Sequence, residues 1–317
     1  MAQNTDVLCI GIALVDSIIR GFDPEPVSAS GYRAGSGTLA AGGEAVNQSA
    51  AAARLGMKAG ILCALGDDAA GDLVVSCLEK AGVSTDRVIR LADHPTPVTT
   101  MFVRENGERK SITNLAHRHN FHPERYVSSL AGTRAVILGS LFRAPFDDPG
   151  IISAVVRGAR YAGAVVFADT KLPNFRVLSL EDLKDALPLI DYITPNEDEA
   201  RYYTGKETPE EMAEVFLRYG VRNVIVKMGG KGCFFRNAET ELRLPALPVR
   251  AVDSTGAGDC FIAGFASEIL RGSTDEEALR FANACGAICA TAVGAGTALK
   301  SRDQVIRFLS EDPGASC

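Results

Sequence analysis

The chain has 317 residues, of which 46 % are hydrophobic and 23 % are charged, and its formal net charge is −6. This length accommodates one large α/β domain or two ordinary ones. The acidic balance and the lack of a long Lys/Arg run argue against a nucleic-acid-binding surface, and no apolar stretch reaches the roughly 18 residues of a membrane helix.

The amino-terminal segment and the cysteines indicate a cytoplasmic protein. Residues 1–16 enter an apolar run without the basic region that opens a signal peptide. The eight cysteines form no C-x-x-C pair, and several lie in apolar runs, where a free thiol packs as a small hydrophobic group. Cys285 and Cys289 could share a helix face, but two thiols without companions favour a structural role over a metal site. We therefore expect a reducing, cytoplasmic environment.

Short β-branched runs alternate with longer helical patterns along the chain. This alternation indicates βαβ units, a mostly parallel sheet and right-handed crossovers. It predicts an α/β three-layer sandwich around a central sheet. The predicted strands are Val7–Ile12, Ala59–Leu65, Ala135–Leu138, Ala164–Ala168, Tyr192–Thr194 and Asn223–Lys227. The predicted helices are Ala45–Leu55, Gly71–Ala81, Ile151–Tyr161, Pro209–Tyr219, Gly256–Leu270, Glu276–Ala292 and Ser301–Leu309.

Two insertions interrupt this alternation. Ser17–Ala41 is rich in Gly, Pro and Ser and has little helical periodicity. Thr96–Thr113 has two strand-like runs around Asn106-Gly107, a pair typical of β-hairpin turns. Because both insertions follow core strands, we expect segments of about 17–41 and 96–118 to form a small β-sheet lid on one α/β domain spanning residues 1–317. Two unconnected surface loops are the alternative interpretation.

The most informative motif is Asp253-Ser254-Thr255-Gly256-Ala257-Gly258-Asp259, which follows a predicted short strand ending at Val252 and opens a long apolar helix. The first N–H groups of a helix lack internal partners and carry partial positive charge. Small residues at Gly256, Ala257 and Gly258 let phosphate oxygens approach those amides. Asp259 lies in the same positive end, which predicts an ionised carboxylate at pH 7. A base beside an anion hole suits phosphoryl transfer.

This motif resembles the second signature of the ribokinase-like (phosphofructokinase-B) carbohydrate kinases, with Ser254 where the family usually has Thr. Gly42-Gly43-Glu44-Ala45-Val46-Asn47 resembles the first signature, although many ribokinases have Lys where this chain has Glu44. The resemblance covers nearly the whole chain. It implies an ATP-dependent sugar kinase with Asp259 as base and Gly256, Ala257 and Gly258 as the anion hole.

The resemblance also assigns the sugar-binding residues. Gly42 and Gly43 let a ligand approach the backbone, and Asn47 matches the family's contact to substrate hydroxyls. Asp16, read as the end of the first strand, matches the carboxylate that grips sugar hydroxyls. Such a position suits ligand binding in an open α/β sheet.

The nucleotide and its cations are assigned in the same way. Asn196 and Glu199 resemble the N-x-x-E motif linked to Mg²⁺ and phosphate through water, although the spacing also fits a helix capping box. The backbone around Asp253 and Thr255 matches a monovalent-cation (K⁺) site of relatives. The resemblance implies ATP contacts from residues in a Gly-rich turn and on a later helix: Lys227, Gly229, Gly232 and Asn283.

Three functions remain open at this point. A kinase for a sugar or sugar acid, acting on a primary hydroxyl, agrees best with the motifs. A nucleoside kinase of the same fold needs an apolar, aromatic slot for the base, whereas the sequence offers only scattered aromatic residues such as Phe102 and Phe142. A non-catalytic sugar-binding regulator would not need Asp259. We expect a small sugar-like substrate, no nucleic acid or membrane partner, and a homodimer formed through the lid.

Overall fold

The computed structural model describes residues 4–21, 34–104, 109–114 and 120–311. Its strands are β1 (Thr5–Ile10), β2 (Leu14–Arg20), β3 (Ser36–Gly42), β4 (Ala59–Gly66), β5 (Ser84–Leu91), β6 (Val98–Val103), β7 (Arg109–Thr113), β8 (Thr133–Leu141), β9 (Val165–Thr170), β10 (Tyr192–Ile193), β11 (Asn223–Lys227), β12 (Cys233–Arg236) and β13 (Glu241–Leu244). Its α-helices are α1 (Glu44–Arg54), α2 (Ala69–Lys80), α3 (Pro149–Tyr161), α4 (Glu197–Thr204), α5 (Pro209–Arg218), α6 (Ala257–Arg271), α7 (Asp275–Ala290) and α8 (Arg302–Ser310).

The large sheet has nine strands in the order β13-β12-β11-β10-β9-β8-β1-β4-β5. The seven strands from β11 to β5 are parallel, and β12 and β13 join antiparallel at one edge. Because parallel strands place their carboxyl ends along one edge, residues that follow β1, β9, β10 and β11 converge there. The predicted mostly parallel sheet is confirmed.

Helices cover both faces of this sheet. Alternate residues of β1 point to opposite sides, so Val7 and Cys9 pack in one core and Leu8 and Ile10 in the other. The first core contains α1, α2, α6, α7 and α8, and the second contains α3, α4 and α5. This confirms the three-layer sandwich. Within the described ranges, no helix is both long and apolar enough to cross a membrane.

A separate four-stranded sheet, called here the small sheet, has the order β3-β2-β6-β7. Its strands come from the two predicted insertions, after β1 and after β5. The β6–β7 hairpin is present as predicted, whereas the turn pair Asn106-Gly107 lies outside the described residues, as do parts of the two predicted segments.

Two sequence predictions about strands were wrong, and one strand was missed. The first strand ends at Ile10, so Asp16 belongs to β2 of the small sheet. No strand ends at Val252, because that residue is exposed and its N–H donates to the Ala290 carbonyl at 2.7 Å. The strand β5 was not predicted, since charged residues interrupt its apolar pattern.

Candidate active site

A cavity of about 980 Å³ opens at the carboxyl edge of the large sheet, under one face of the small sheet. The predicted site residues that line it are Asp16, Gly43, Asn47, Asn196, Glu199, Lys227, Gly229, Gly232, Thr255, Gly256, Ala257, Gly258, Asp259 and Asn283. Two predicted residues, Gly42 and Asp253, lie next to lining residues but are not part of the wall. Fourteen positions spread over 268 residues of sequence are thus brought to one cavity.

The amino end of α6 forms one wall of the cavity. Gly256 caps the helix with φ = 78°, a left-handed conformation that side chains disfavour. A Cβ at Gly256 would also lie 2.8 Å from that of Ala295. The turn therefore requires glycine there. The Ala257 N–H donates to the Ser254 carbonyl at 3.1 Å, whereas the next amides of the first turn have no partner within the helix and can donate to an anion.

Asp259, in the first turn of α6, has only 6 % of its surface exposed. Burial raises its pKa to about 7, with Lys171 opposing the rise and Asp169 and Glu44 adding to it. The sequence predicted an ionised carboxylate at pH 7; burial opposes the positive helix end and brings the pKa close to that pH. A carboxyl with a pKa near neutrality is well matched to accept a proton at physiological pH.

Two amides from α1 hold the Asp259 carboxylate. Asn47 Nδ2 donates to Oδ2 at 2.9 Å, and Gln48 Nε2 donates to Oδ1 at 3.0 Å. Gln48 is fully buried, and the sequence analysis missed it. The α1 helix is itself placed by Gly43, its N-cap at φ = 98°, over the carbonyl of Ile12. Asn47 therefore positions Asp259 and also lines the cavity.

The small sheet and the start of α1 bring two carboxylates to the other end of the cavity. Asp16 on β2 lies over Gly42, where any side chain would collide with its carboxylate. Among the described residues, neither Asp16 nor Glu44 has a hydrogen-bond or ion-pair partner. Burial, and then the charge of Glu44, raises the pKa of Asp16 to about 6. Two unpaired acids thus face the cavity and are available to accept from hydroxyl groups.

The ends of β9 and β11 contribute a buried ion pair. Lys227 Nζ lies 2.5 Å from Asp169 Oδ1, which also accepts from Thr194 Oγ1 at 3.0 Å. Lys171 follows β9 and lines the same cavity. Neither Asp169 nor Lys171 was singled out in the sequence, although both lie at a strand end, where ligand-binding residues are common.

Asn196 and Glu199 form a capping box at the start of α4. Asn196 Oδ1 accepts from the Glu199 N–H at 2.9 Å, and Glu199 Oε2 accepts from the Asn196 N–H at 3.0 Å. Thr170 Oγ1 also donates to Oε2 at 2.8 Å. The other oxygen, Oε1, makes no hydrogen bond within the described part of the chain. Glu199 thus serves the helix with one oxygen and presents the other to the cavity.

Asp253 braces the loop before α6. Its Oδ1 accepts from Thr255 N–H at 3.0 Å and Thr255 Oγ1 at 2.6 Å, and its Oδ2 accepts from Gly294 N–H at 3.0 Å. The Thr255 carbonyl faces the Cys289 thiol at 3.4 Å. The side chains of Asp253 and Thr255 thus fix the turn that carries Gly256. Across the described ranges, no three His, Cys, Asp or Glu side chains are grouped as a metal site.

The remaining wall combines the β11–β12 turn with α7. Gly229 and Gly232 have positive φ values of 56° and 97° and follow Lys227. Asn283 Nδ2 donates to the Pro245 carbonyl at 3.3 Å, close to Cys233 Sγ at 3.5 Å. The lining of this region includes several glycines and alanines, which have little or no side chain.

Comparison with known proteins agrees with this geometry. The family model described as pfkB family carbohydrate kinase matches residues 4–302. The chain belongs to this family. It is 29 % identical to the ribokinase of Haemophilus influenzae over 86 % of the chain and 88 % of that protein. It is 30 % identical to the 2-dehydro-3-deoxygluconokinase of Bacillus subtilis, over 81 % and 83 %.

The fold of this pfkB-family chain matches that of Arabidopsis thaliana ribokinase, solved in complex with ribose and ATP. The TM-score is 0.84 at 27 % identity, with 97 % of this chain and 99 % of the other covered. The predicted ribokinase-like fold and family are therefore confirmed. The chain is an enzyme, an ATP-dependent carbohydrate kinase.

Proposed function

We propose that this enzyme transfers the γ-phosphoryl group of ATP to a primary hydroxyl of a sugar or sugar acid, with Asp259 as the base. One observation carries the proposal. Asp259 lies in the first turn of α6, is held by Asn47 and Gln48, and lines the cavity at a pKa of about 7. A proton acceptor and an anion hole therefore share one helix end.

The chemistry follows from these positions. Asp259 takes the proton of the acceptor hydroxyl as the oxygen forms a bond to the γ-phosphorus, and the bond between that phosphorus and the β-bridging oxygen breaks to release ADP. The amides of Gly256, Ala257 and Gly258 stabilise charge on the phosphoryl oxygens. Lys227, Gly229, Gly232 and Asn283 line the part of the cavity that we assign to ATP.

Two cations are part of the proposal. Glu199 Oε1 faces the cavity without a protein partner among the described residues, and Asn196 is beside it, so these residues fit a Mg²⁺ ion held through water. When bound, Mg²⁺ neutralises charge on the phosphates. Asp253 already accepts from Thr255 and Gly294, so a K⁺ ion would be held by backbone oxygens of the loop that Asp253 and Thr255 brace.

The acceptor end supports a polar, hydroxyl-rich substrate. Asp16 and Glu44 offer carboxylate oxygens, while Arg143 and Lys171 line the same cavity and offer positive charge. This mixture suits a sugar or a sugar acid. The aromatic residues considered for a nucleoside are elsewhere: Phe142 is fully buried and stacks on Tyr203 with ring centres 3.9 Å apart, and Phe102 does not line the cavity. A nucleoside kinase and a non-catalytic regulator are therefore less well supported.

The decisive experiment is an ADP-release assay with Mg-ATP against neutral sugars, sugar acids, amino sugars, sugar phosphates and nucleosides. The Asp259→Asn variant runs in parallel. We expect turnover on one sugar class, and loss of that turnover in the variant. Full activity in Asp259→Asn would remove the base assignment. Turnover on nucleosides alone would favour the second function, and ATP binding without any turnover would favour the regulator.

We also propose that residues 1–317 form one α/β domain, that the small sheet is its lid, and that the enzyme is a cytoplasmic homodimer formed through that lid. The face of the small sheet with Asp16 and Met101 points into the cavity. The opposite face carries the row Leu39, Ser17, Thr100 and Ile112, in register across the four strands. The described cysteines are all free, which suits the cytoplasm.

The dimer rests on the exposed apolar ends of that row. Leu39 is 65 % exposed and Ile112 70 % exposed, whereas large aliphatic residues on a lone sheet face favour burial against a partner. A second copy offers an identical row, so a twofold contact is self-complementary. Light scattering should give twice the chain mass for the wild type and a single mass for Leu39→Asp/Ile112→Asp. A wild type that stays monomeric at high concentration would reject the dimer.

A further inference from the structure

The proposed transfer places Lys227 beside ATP but gives no role to its ion-pair partner, Asp169. Asp169 lies near the carboxyl end of β9, and only 1 % of its surface is exposed. Its Oδ1 accepts from Lys227 Nζ at 2.5 Å and from Thr194 Oγ1 at 3.0 Å. Because a buried carboxylate with two donors has little freedom to turn, Asp169 offers the lysine a fixed point to bind.

The side chain of Lys227 spans a neighbouring strand to reach Asp169. Lys227 ends β11, which pairs with β10, and β10 pairs with β9, so the two residues are two strand spacings, roughly 10 Å, apart in the sheet. The backbone of Lys227 is fixed, since its N–H donates to the Pro195 carbonyl at 2.8 Å. The side chain is 14 % exposed. With its backbone fixed at one end and its ammonium at the other, this lysine follows one defined course.

This course brings the ammonium of Lys227 to the first turn of α6. A Cβ on Gly258 would lie 3.2 Å from Lys227 Nζ. The Gly258 N–H is one of the first-turn amides that have no partner within the helix, and both residues line the cavity. A phosphoryl oxygen that accepts from the Gly258 N–H can therefore accept from Lys227 Nζ as well, and such a charge-assisted bond is among the stronger ones.

Asp169 also decides which carboxylate the lysine binds. Asp259 and Glu199 line the same cavity as Lys227. Because an unpaired buried charge is costly, an ammonium that lost Asp169 would favour any other anion it could reach. A pair with Asp259 would occupy the proposed base, and a pair with Glu199 would draw the charge away from α6. The bond to Asp169 instead keeps the ammonium beside Gly258.

We propose that Asp169 is a positioning residue for the phosphoryl transfer: it holds Lys227 Nζ beside the Gly258 amide, where the ammonium contacts the γ-phosphoryl group. The inference rests on the proposed transfer from ATP and adds the residue that orients the cation. Lys227 offsets charge on the phosphoryl oxygens while the bond to the β-bridging oxygen breaks. Asp169 acts through Lys227, so its removal should weaken recognition of the γ-phosphoryl group and leave recognition of the rest of the nucleotide unchanged.

The first test measures binding of Mg-ADP and of the Mg complex of the β,γ-imido analogue of ATP by calorimetry, without an acceptor. The ratio of the two dissociation constants reports how tightly the γ-phosphoryl group is held. We expect Lys227→Met to lower this preference by about tenfold or more, since a charge-assisted hydrogen bond is lost. Asp169→Asn should lower it in the same direction. The double variant should match Lys227→Met alone, because Asp169 has no effect once the lysine is gone.

Three results of this cycle would overturn the proposal. Asp169→Asn could leave the preference unchanged, could weaken both nucleotides equally, or could weaken the imido analogue further in the Lys227→Met background, which would mean that Asp169 acts on the phosphates directly or through a metal ion. A wild type that binds neither nucleotide would overturn the assigned ATP site as well. Should Asp169→Asn fold poorly, Thr194→Val removes only the 3.0 Å hydrogen bond to Asp169 and should lower the preference in the same direction.

Two matched control variants separate this effect from the general loss of an ion pair. Asp191 is also a buried carboxylate of the sheet, but it directly precedes β10 and binds Arg160 at 2.8 Å and Arg222 at 3.1 Å, away from the cavity. Lys184 is an exposed lysine that pairs with Glu181 on the surface. Asp191→Asn and Lys184→Met should both keep the wild-type preference. An equal fall in the preference in Asp191→Asn would also overturn the proposal.

The second test uses the acceptor found in the ADP-release assay. Asp169→Asn should lower kcat and leave KM for the acceptor unchanged, because the lysine that it orients contacts the transferring group. A raised KM for the acceptor with an unchanged kcat would place Asp169 in the acceptor site, against the proposal. Because the binding cycle needs no turnover, it decides the role of Asp169 even if the wild type phosphorylates no acceptor in the panel.

Discussion

The two ends of the cavity differ in how far their polar groups are already paired. At the end formed by α6, Asp259 has two amide donors, Asp253 is bound to Thr255 and Gly294, and Lys227 is bound to Asp169. At the end under the small sheet, Asp16 and Glu44 have no hydrogen-bond or ion-pair partner among the described residues. Under the proposed function, the first end would be organised in advance for the reaction, and the second would leave its hydrogen-bonding groups to the substrate.

This difference explains why the reaction is easier to recognise than the substrate. Groups that stabilise a transition state must be held before the substrate arrives, so they bind one another and leave a fixed pattern. Groups that select a substrate form their hydrogen bonds with that substrate and not with one another. The same few side chains can accept hydrogen bonds from many different sugars, so they do not identify one. Three substitutions test whether the contrast is real.

Replacing Asp259 by Asn should have the largest effect. Turnover should fall by about 10³-fold or more, because the general base is lost. A carboxyl whose folded pKa is raised destabilises the folded state as pH rises from its unfolded pKa to its folded pKa. With a folded pKa of about 7, the wild type is disfavoured most above pH 7, and the variant should resist urea better at pH 8, by up to about 4 kcal/mol.

The comparison at acidic pH is the control for this prediction. Near pH 4 both side chains are neutral in the folded protein, so the stability gain should shrink toward zero. A variant that is both inactive and less stable at pH 8 would mean that Asp259 holds the fold together, and the paired end of the cavity would then be structural.

Replacing Asp16 by Asn should have an intermediate effect, restricted to the acceptor. Losing a charged hydrogen-bond acceptor should raise KM for the sugar by roughly 30-fold, equivalent to about 2 kcal/mol, and leave KM for ATP unchanged. In the wild type the same KM should rise below pH 6, because the Asp16 pKa is about 6. Steady-state kinetics with each substrate varied in turn measures both. An equal rise in the two KM values would contradict the division of the cavity into two ends.

Replacing Gln48 by Leu should have the smallest effect. One of two donors to Asp259 is lost, and the buried Gln48 carbonyl oxygen, which has no partner among the described residues, is lost with it. We expect less than about a tenfold fall in kcat/KM at pH 7, from a net hydrogen bond of about 1 kcal/mol, and near-normal rates at pH 9. A pH profile checks this, with Ser49→Ala as the matched control, since the Ser49 hydroxyl donates to the Val46 carbonyl on the same helix. A larger loss at every pH would mean that Gln48 also shapes the cavity.

The sequence by itself determined the elements and the motifs. Alternating apolar runs and helical patterns predicted the parallel sheet and the three layers, because side-chain periodicity directly reflects which face is buried. The Gly256–Asp259 turn and Gly43–Asn47 were predicted from local requirements: a close backbone approach and a free helix end. The Asn196–Glu199 spacing likewise predicted a capping box, which depends on neighbours in sequence.

Tertiary structure decided what depends on distant partners. Gln48 reaches Asp259 across 211 residues of sequence, and Lys227 reaches Asp169 across 58; neither pairing has a local signal. The sequence predicted Asp16 at the end of a core strand, but Asp16 lies in β2, which belongs to the small sheet. Asp259 was predicted to be ionised because the helix end beside it is visible in the sequence. Burial raises its pKa, and the burial of a carboxyl depends on how the whole chain packs.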